Sequence, residues 1–414
     1  MRKILAGLDV GSNTLKLVVG EMVKNKLNIL SVSETPSSGV KSGIIINQTS
    51  LIESLKILFK SCEDSLGIAI SKVLVTVPQN YVDFTIGEGT TNITNSESLV
   101  GGNDIIRALQ ASSFRKIPDN MEIITTIPTS FKIDDEEIVK EPKNKVAKKL
   151  TAKSVIVSTP KKYAYPIIGC LETIGVEVVD ICLGSMGDYY SFKSEETDDA
   201  IGVIINIGEA TTTVSIFNRG VLTNTEVIDL GGVNIDNDIC FIYKVTKSDA
   251  RSLKEKLALA HKRLAQVNET LTITNKLGEN LKVNQYEVSE IAMSRLTEIL
   301  NMSKKQINLL TKKEISYIIF TGGVSEMRDF PLVLEEVFGR NVSLGVIREL
   351  GVRNNKYSSC IGTIKCFNER LVLRDKEFSV FNLDELEEFS GNRKKINIKE
   401  GSILGNLFGY FFDN

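Results

Sequence analysis

Short apolar runs alternate with longer amphipathic stretches along most of this 414-residue chain. The apolar runs at 4–8 and 201–205 are each followed by a glycine-containing turn and a second apolar run. We predict a β-hairpin at both places, because branched apolar residues favour strands and glycine permits tight turns. The same patterns predict strands at 72–77, 122–127, 130–133, 153–158, 176–181 and 315–320, and helices at 50–66, 104–113, 161–174, 249–267, 285–301 and 358–369. Strands that alternate with helices indicate an α/β fold with predominantly parallel strand pairing.

The two hairpin turns contain residue types that bind phosphate. Glycine lets the backbone approach a ligand, and backbone N–H groups and Ser or Thr hydroxyls donate hydrogen bonds to phosphate oxygens. The candidates are Gly11, Ser12 and Asn13 in the first turn and Gly208, Ala210, Thr211 and Thr212 in the second. Asp9 precedes the first turn and is a candidate ligand of a phosphate-bound metal ion. An ordinary hairpin turn without a ligand is the alternative interpretation at each place.

A third glycine turn, at Gly322 and Gly323, follows the strand predicted at 315–320. Paired glycines there would let the backbone lie flat against a base and a ribose. A strand–glycine hairpin–strand unit that is repeated, and then followed by a strand ending in two glycines, resembles the actin, sugar kinase and Hsp70 superfamily. Within that superfamily the chain resembles the FtsA family of actin-like bacterial division proteins.

Three segments carry the resemblance to FtsA: a strand pair with a central proline at 124–134, a Gly-Gly segment at 229–239, and a helix between the two halves at 356–363. The resemblance extends over residues 1–373 and the C-terminal end. It implies a two-lobed actin-like ATPase fold with a small α+β insert in the first lobe and a C-terminal amphipathic helix. The implied divisions are 1–83 with 166–195 (subdomain 1A), 84–165 (inserted subdomain 1C), 196–233 with 317–373 (subdomain 2A), 234–316 (helical subdomain 2B), 374–400 (linker) and 401–414 (membrane-targeting helix).

The resemblance also implies a site for ATP and Mg²⁺. The residues of the two hairpin turns would contact the terminal phosphates, and Gly322 and Gly323 would line the adenosine. Asp9 would lie near the Mg²⁺ ion. Lys254 and Glu255 fall where the superfamily places a lysine and an acidic residue against ribose and base. A solvated helix face is the alternative interpretation of these two residues.

The second hairpin departs from the family pattern Asp-Ile-Gly-Gly-Gly-Thr-Thr-Asp. Asn206 and Thr213 replace its acidic ends, and Glu209 replaces a glycine. An amide cannot act as a base, and a carboxylate at 209 would repel phosphates unless it points away or reaches a cation. We therefore expect no catalytic residue here and a nucleotide-binding scaffold with weak or no ATPase activity. A small-molecule kinase or phosphatase of the same superfamily, with Glu209 as its carboxylate, and a cleft that binds no nucleotide are the alternatives.

Composition excludes several other classes of protein. The formal net charge of −2 predicts no general attraction to nucleic acid. Six cysteines without CxxC spacing and a single histidine predict buried thiols in a reducing cytoplasm, with no zinc site. Because no apolar run reaches about 20 residues, we expect a chain that is neither secreted nor membrane-spanning.

The C-terminal end carries an apolar stripe at helical spacing, formed by Ile403, Leu404, Leu407, Phe408, Phe411 and Phe412. Such a stripe is typical of a helix that lies in a membrane interface, and the preceding Arg393, Lys394, Lys395 and Lys399 could meet anionic headgroups. A helix docked on the protein's own surface is the alternative.

The function that the resemblance implies is that of a cell division adaptor. Such a protein would self-associate and tether FtsZ filaments to the cytoplasmic face of the cell membrane at the division septum. The FtsZ C-terminal peptide would bind the region 234–316. A chaperone-like or pilus-associated actin relative is a third interpretation, which lacks support because no substrate-binding β domain follows the second lobe.

Overall fold

The structure is a computed structural model that describes residues 2–393. The helix predicted at 401–414 and the last part of the predicted linker, 394–400, lie outside the described residues. No helix within 2–393 combines the length and the apolar character needed to span a bilayer. All six cysteines are free thiols, and five of them are buried as predicted.

The strands and helices are named here in chain order. The strands are β1 (Lys3–Val10), β2 (Thr14–Val23), β3 (Lys26–Pro36), β4 (Val40–Lys41), β5 (Ile44–Ile45), β6 (Lys72–Val77), β7 (Asp83–Asn92), β8 (Met121–Ile133), β9 (Glu137–Val139), β10 (Lys149–Pro160), β11 (Glu177–Leu183), β12 (Ile201–Ile207), β13 (Thr212–Asn218), β14 (Val221–Ile228), β15 (Thr270–Thr274), β16 (Asn280–Asn284), β17 (Tyr317–Thr321) and β18 (Ser343–Leu344). The α-helices are α1 (Gln48–Leu66), α2 (Gly102–Ser113), α3 (Lys161–Thr173), α4 (Gly184–Phe192), α5 (Glu195–Asp199), α6 (Gly232–Tyr243), α7 (Lys247–Leu257), α8 (Gln285–Leu310), α9 (Phe330–Phe338), α10 (Ser358–Leu373) and α11 (Leu383–Arg393).

The first five-stranded sheet has the order β11-β6-β1-β2-β3. Its β1–β2 hairpin is antiparallel, whereas β6 pairs parallel with both β1 and β11. Helices α1 and α3 bury their apolar faces in the same core. Helix α1 begins at Asn47, whose side chain accepts a hydrogen bond from the N–H of Ser50, and ends at Gly67, which has φ +77°. The predicted first hairpin, α1 and β6 are confirmed.

The second five-stranded sheet repeats the first. Its order is β14-β13-β12-β17-β18, so β12, β13, β14, β17 and β18 correspond in place and direction to β1, β2, β3, β6 and β11. The predicted second hairpin is confirmed. The expectation of predominantly parallel pairing is wrong, because each half contributes antiparallel hairpin strands and the inserted sheet is antiparallel throughout.

The inserted sheet has the order β7-β10-β8-β9, and α2 packs against it around a small core of its own. Strand β7 was not predicted, and the two strands predicted on either side of Pro128 are one strand, β8. Proline offers no N–H to a neighbouring strand, and the register of β8 against β10 shifts between Lys153 and Ser154, next to the partner of Pro128. The shift lets β8 continue through the proline.

The region 234–316 contains helices α6, α7 and α8, and also the β15–β16 hairpin, which was not predicted. The helix predicted at 249–267 is wrong beyond Leu257. There the chain leaves the helix because Leu259 N–H donates to Ser289 Oγ at 2.9 Å and Ala260 N–H donates to the carbonyl of Arg328 at 2.8 Å. These long-range hydrogen bonds replace the helical ones, and the sequence pattern contains no sign of them.

Helices α4 and α10 cross in direct contact beneath the two sheets' hairpins. A methyl group placed on Gly362 would lie 1.5 Å from the carbonyl oxygen of Gly187, and one on Gly187 would lie 2.3 Å from the carbonyl oxygen of Ser359. Only glycine permits so close an approach of two helix backbones. We call the contact of Gly187, Ser359 and Gly362 the helix crossing.

Part of the predicted linker 374–400, up to residue 389, packs against the rest of the protein. Val380 N–H donates to the carbonyl of Ile4 at 2.8 Å, and Phe381, Leu386 and Phe389 are buried in the core of the first sheet. The expectation that 374–400 lacks a core is therefore wrong for this part. Four apolar residues in a charged sequence, Val380, Phe381, Leu386 and Phe389, are sufficient because each of them is buried.

Candidate functional site

A cavity of about 610 Å³ lies between the two five-stranded sheets, a size that fits a small-molecule ligand. Both hairpin turns and the turn after β17 line it. The predicted site residues that line it are Asp9, Gly11, Ser12, Asn13, Gly208, Ala210, Thr211, Lys254, Glu255, Gly322 and Gly323. Thr212 does not, because its side chain is fully buried and its hydroxyl donates to the carbonyl of Leu230 at 2.8 Å.

The first hairpin brings a lysine to the cavity that the sequence analysis did not single out. Lys16 lies opposite Asp9 in the β1–β2 register, and its Nζ is 3.0 Å from Asp9 Oδ2. Burial lowers the pKa of Lys16, but the charge of Asp9 and its hydrogen bond outweigh burial and raise the pKa overall. A methyl group on Gly11 would lie 3.5 Å from this Nζ. The hairpin therefore holds a permanent cation beside its glycine turn, and the cross-strand register could have predicted it.

Asp9, the predicted metal ligand, has partners on both carboxylate oxygens. Oδ2 accepts from Lys16, and Oδ1 accepts from Thr76 Oγ1 at 3.0 Å. No cluster of three or more His, Cys, Asp or Glu side chains suited to a metal ion occurs among the described residues. The donor set fits Mg²⁺ only as an ion bound by one carboxylate, by ligand phosphates and by water, the arrangement that Mg²⁺ commonly adopts.

The second hairpin is tied to a buried carboxylate that the sequence analysis missed. Asn206 Nδ2 donates to Asp188 Oδ2 at 2.7 Å, and Asp188 Oδ1 accepts from the hydroxyls of Ser358 (2.6 Å) and Ser359 (2.9 Å). Burial raises the pKa of Asp188 to about 6 in spite of these hydrogen bonds, which lower it. An amide at 206 can donate to this carboxylate, whereas a second carboxylate would repel it. Asp188 lies on α4, far from the hairpin in sequence, and no motif marks it.

Glu209, the second departure in this hairpin, reaches two cations. Its Oε1 accepts from Arg251 Nη2, and its Oε2 lies 3.8 Å from Lys254 Nζ. Burial raises the pKa of Glu209, although both cations lower it. Arg251 Nη1 also donates to Asn13 Oδ1 at 2.7 Å, which connects α7 to the first hairpin. Of the two ways for Glu209 to avoid repelling phosphates, pointing away or reaching a cation, the structure has the second.

Lys254 and Glu255 lie at the end of α7, and both line the cavity. Lys254 is not on a solvated helix face, because only 9% of its side chain is exposed. Its Nζ lies 2.8 Å from Asp236 Oδ1 and donates to the carbonyl of Gly232 at 3.1 Å. The lysine is thus held rigidly at the wall of the cavity.

The two glycines in the turn after β17 differ in backbone conformation and in the space around them. Gly322 has φ +94°, and a methyl group on it would lie 2.4 Å from Asn206 Oδ1, so the turn requires glycine. Gly323 is open, with its nearest neighbour, Lys356 Cβ, at 3.9 Å from such a methyl group. Lys356 Nζ lies 2.5 Å from Glu34 Oε2 on β3, a second side-chain contact between the halves beside that of Arg251 with Asn13.

Two repeated sheets, each with a glycine hairpin facing one shared cavity, define an actin-like protein with two lobes. Two family models match this chain: "Cell division protein FtsA" over residues 203–362 and "SHS2 domain inserted in FTSA" over residues 76–158. Together they cover more than half of its length. The chain belongs to the FtsA family of cell division proteins.

Relatives in this family align along most of the chain. The cell division protein FtsA of Bacillus subtilis (strain 168) is 27% identical over 374 residues, 89% of this chain and 85% of that protein. FtsA of Pseudomonas aeruginosa is 27% identical and covers 87% of this chain and 88% of its own length. FtsA of Borreliella burgdorferi is 27% identical over 99% of this chain and 98% of its own.

Solved structures share the fold at low sequence identity. The PilM-PilN type IV pilus biogenesis complex matches with a TM-score of 0.57 and 13% identity over 87% of this chain and 97% of its own. MreB5 of Spiroplasma citri bound to ADP matches with a TM-score of 0.55 and 11% identity over 90% of this chain and 98% of its own. These likenesses establish the two-lobed actin-like fold with its insert and carry no statement about ligands or partners of this chain.

Proposed function

We propose that this FtsA-family protein binds ATP with Mg²⁺ in the cavity between its lobes. The observation that carries the proposal is the convergence of three glycine turns and Lys16 on one cavity. Backbone N–H groups of such turns and a fixed cation are suited to a triphosphate. The MreB5 structures that share the fold contain ADP and AMPPNP, which supports a nucleotide as the ligand.

Mg²⁺ belongs to the proposal because the lysines of the cavity offer little uncompensated positive charge. Each lysine that lines it already has a carboxylate partner: Lys16 has Asp9, Lys254 has Asp236, and Lys356 has Glu34. A triphosphate that brings its own divalent cation avoids repulsion from these carboxylates. Asp9 and the terminal phosphates would hold the ion. When bound, Mg²⁺ would neutralise part of the charge on the phosphates.

A bulky side chain at Gly323 tests nucleotide binding directly. Gly323→Phe fills the cavity from a glycine that is exposed and has open space around it, so the fold is expected to survive. We expect titration with a fluorescent ATP analogue in excess Mg²⁺ to give saturable binding for the wild type and none for the variant. Gly169→Phe on α3, another exposed glycine with no neighbour within 4 Å, is the matched control. Absence of binding by the wild type would refute the proposal.

Weak or absent ATP hydrolysis is the second part of the proposal. The ends of the second hairpin carry Asn206 and Thr213, and neither side chain can accept a proton from water at neutral pH. The carboxylate that Asn206 contacts, that of Asp188, accepts from three donors and does not line the cavity. We expect phosphate release to be slow or undetectable under conditions in which nucleotide is bound. Steady ATP turnover that Glu209→Gln abolishes would favour the kinase or phosphatase alternative.

We propose, further, that the chain is a division adaptor that self-associates and tethers FtsZ filaments to the cytoplasmic face of the membrane at the septum. Membership of the FtsA family supports this role. The region 234–316 also exposes large apolar side chains: Phe241 is 85% exposed and Leu277 is 65% exposed. Exposed apolar groups of this size are suited to a peptide partner.

Two binding experiments test the adaptor role. A pull-down with the FtsZ C-terminal peptide should retain the wild type and lose Phe241→Ser, while Leu309→Ser, a change at another exposed apolar residue of the same region, is the control. Co-sedimentation with anionic liposomes should require residues 401–414. If deletion of 401–414 leaves co-sedimentation unchanged, the membrane anchor is refuted.

A further inference from the structure

Glu209 is the departure from the family pattern of the second hairpin that adds a negative charge, and it lies in the wall of the proposed nucleotide site. We infer that Arg251 exchanges Glu209 for the terminal phosphates of a bound nucleotide, so that Glu209 sets the affinity of the cleft for nucleoside triphosphates. The inference rests on the proposed binding of ATP. It assigns a competing role to Glu209 and a phosphate-binding role to Arg251.

The guanidinium of Arg251 already contacts two residues that line the cavity, Asn13 of the first hairpin and Glu209 of the second. Nη1 donates to Asn13 Oδ1 at 2.7 Å, Nε lies 3.4 Å from Asp236 Oδ2, and Nη2 donates to Glu209. Asn13 belongs to the turn that would hold the terminal phosphates. Arg251 is therefore within one hydrogen bond of that turn, although α7 lies in the other half of the molecule. With 37% of its side chain exposed, Arg251 has room to move.

The carboxylate of Glu209 fits where it does because residue 232 is a glycine. A methyl group on Gly232 would lie 2.9 Å from Glu209 Oε2 and 3.4 Å from Lys254 Nζ. The carboxylate is thus seated against the start of α6, with 19% of its side chain exposed. The Glu209 carboxylate therefore pairs with both cations, Arg251 and Lys254, when no ligand is bound.

The local charges explain why phosphate would displace this anion. Glu209 and Asp236 balance Arg251 and Lys254, so the cluster has no excess positive charge for a ligand. A triphosphate that approached with Glu209 in place would meet a fixed negative charge. Phosphate oxygens match the planar fork of a guanidinium and carry more charge than one carboxylate. When Arg251 turns to phosphate, the pairing of its charge is kept and Glu209 is released towards solvent.

The competition is measured by nucleotide titration of single variants. Glu209→Gln keeps the size of the side chain and removes its charge, so we expect the Kd for Mg-ATP to fall about tenfold. Arg251→Gln should raise the Kd about tenfold, by the same reasoning. For AMP, which lacks the β- and γ-phosphates, neither change should alter the Kd more than about twofold. Glu335→Gln is the control, because Glu335 forms an ion pair with Arg340 and does not line the cavity.

A double variant separates exchange from a general change in charge. In the background of Arg251→Gln, the further change Glu209→Gln should alter the Kd for Mg-ATP less than threefold, since the two residues act as one unit. Glu209→Gly, which restores the residue of the family pattern, is a second test in case the glutamine variant folds poorly. Amide hydrogen exchange at 11–14 should be faster in Arg251→Gln than in the wild type when no nucleotide is present.

The outcomes distinguish this inference from the proposed function. If Gly323→Phe abolishes ATP binding but Glu209→Gln binds Mg-ATP no better than the wild type, the cleft is a nucleotide site and the exchange is refuted. Weaker binding by Glu209→Gln would also refute it, because Glu209 would then act as a ligand. If no form of the protein binds nucleotide, the proposed function itself fails.

Discussion

Beneath the cavity the two halves of the molecule touch through their backbones, whereas beside it they touch through charged and polar side chains. At the helix crossing, no space for even one methyl group separates Gly362 from the carbonyl of Gly187. Beside the cavity, two bridges connect the halves: Arg251 with Asn13 and Lys356 with Glu34. The side chains of Arg251 and Lys356 remain about one-third exposed, at 37% and 33%.

The two kinds of contact differ in how easily they can change. Backbones in close contact have a single well-packed arrangement, so a shift there disturbs both helices. A partly exposed ion pair such as that of Lys356 with Glu34 contributes only about 0–1 kcal/mol, and water can replace either bridge. We therefore predict that the helix crossing acts as a pivot and that the bridges can release. The lobes would open by losing the bridges while the crossing stays intact.

The largest expected effect follows from a change at the pivot. Gly362→Ala places a methyl group 1.5 Å from the carbonyl oxygen of Gly187, so α4 and α10 must separate. We expect a loss of about 3 kcal/mol in the free energy of unfolding, at the upper end of the range for overpacking. Urea unfolding followed by far-ultraviolet circular dichroism measures it.

A matched change in an open helix glycine supplies the control for the pivot. Gly169 lies on α3 with nothing within 4 Å of an added methyl group, so Gly169→Ala should stabilise the protein by about 0.5–1 kcal/mol. If Gly362→Ala unfolds at the same urea concentration as the wild type, the crossing is not the rigid contact that the comparison requires.

The second prediction concerns the buried carboxylate beside the pivot. Asn206→Asp removes the amide that donates to Asp188 and puts a second carboxylate in its place. We expect a loss of about 2 kcal/mol at pH 8, because a buried acceptor loses its donor and faces a like charge. The same change at Asn224, which is exposed on β14, should have little effect.

The loss caused by Asn206→Asp should depend on pH with a definite sign. In the folded wild type, burial raises the pKa of Asp188 to about 6 from an ordinary value of 3.8, so the folded state binds a proton more tightly than the unfolded state. A second carboxylate raises the folded pKa further. Stability is therefore lost as the pH rises from the unfolded pKa through the folded pKa, and it is fully present only below the unfolded pKa. A deficit of equal size at pH 8 and pH 5 would show that charge repulsion is not its cause.

The hairpins, α1 and the glycine turns could be predicted from sequence because their signals are local. Alternating apolar residues, a capping Asn47 and a terminal Gly67 act within a few residues of one another. The pairing of Asp9 with Lys16 also follows from hairpin register. These features define the two repeated sheets and most of the residues that line the cavity.

The contacts between distant segments could not be predicted in this way. Asp188 meets Asn206 only because α4 lies behind the second hairpin, and Arg251 meets Asn13 only because α7 faces the first. The burial of Phe381 likewise depends on a hydrogen bond between Val380 and Ile4 at the opposite end of the chain. The periodicity of a single sequence does not indicate which distant segments come into contact.

The smallest expected effect on stability follows from a change in a bridge. Lys356→Gln removes an ion pair whose partner, Glu34, keeps its hydrogen bond from Tyr357 at 2.8 Å. We expect the free energy of unfolding to change by about 0.5 kcal/mol, as for other partly exposed pairs. Burial raises the pKa of Glu34, but Lys356 and Tyr357 outweigh burial and lower it overall, so loss of the lysine should raise this pKa.

The effect of Lys356→Gln should instead appear in how often the cleft opens. Amide hydrogen exchange at 11–14 and 208–211 should accelerate in Lys356→Gln and accelerate further when it is combined with Arg251→Gln, because the second bridge is then lost as well. Exchange in the α4–α10 pair should stay slow in both variants. If Lys356→Gln lowered the free energy of unfolding as much as Gly362→Ala, the bridge would contribute as much to stability as the helix crossing, against the prediction. Unchanged exchange in the double variant would show that neither bridge holds the lobes together.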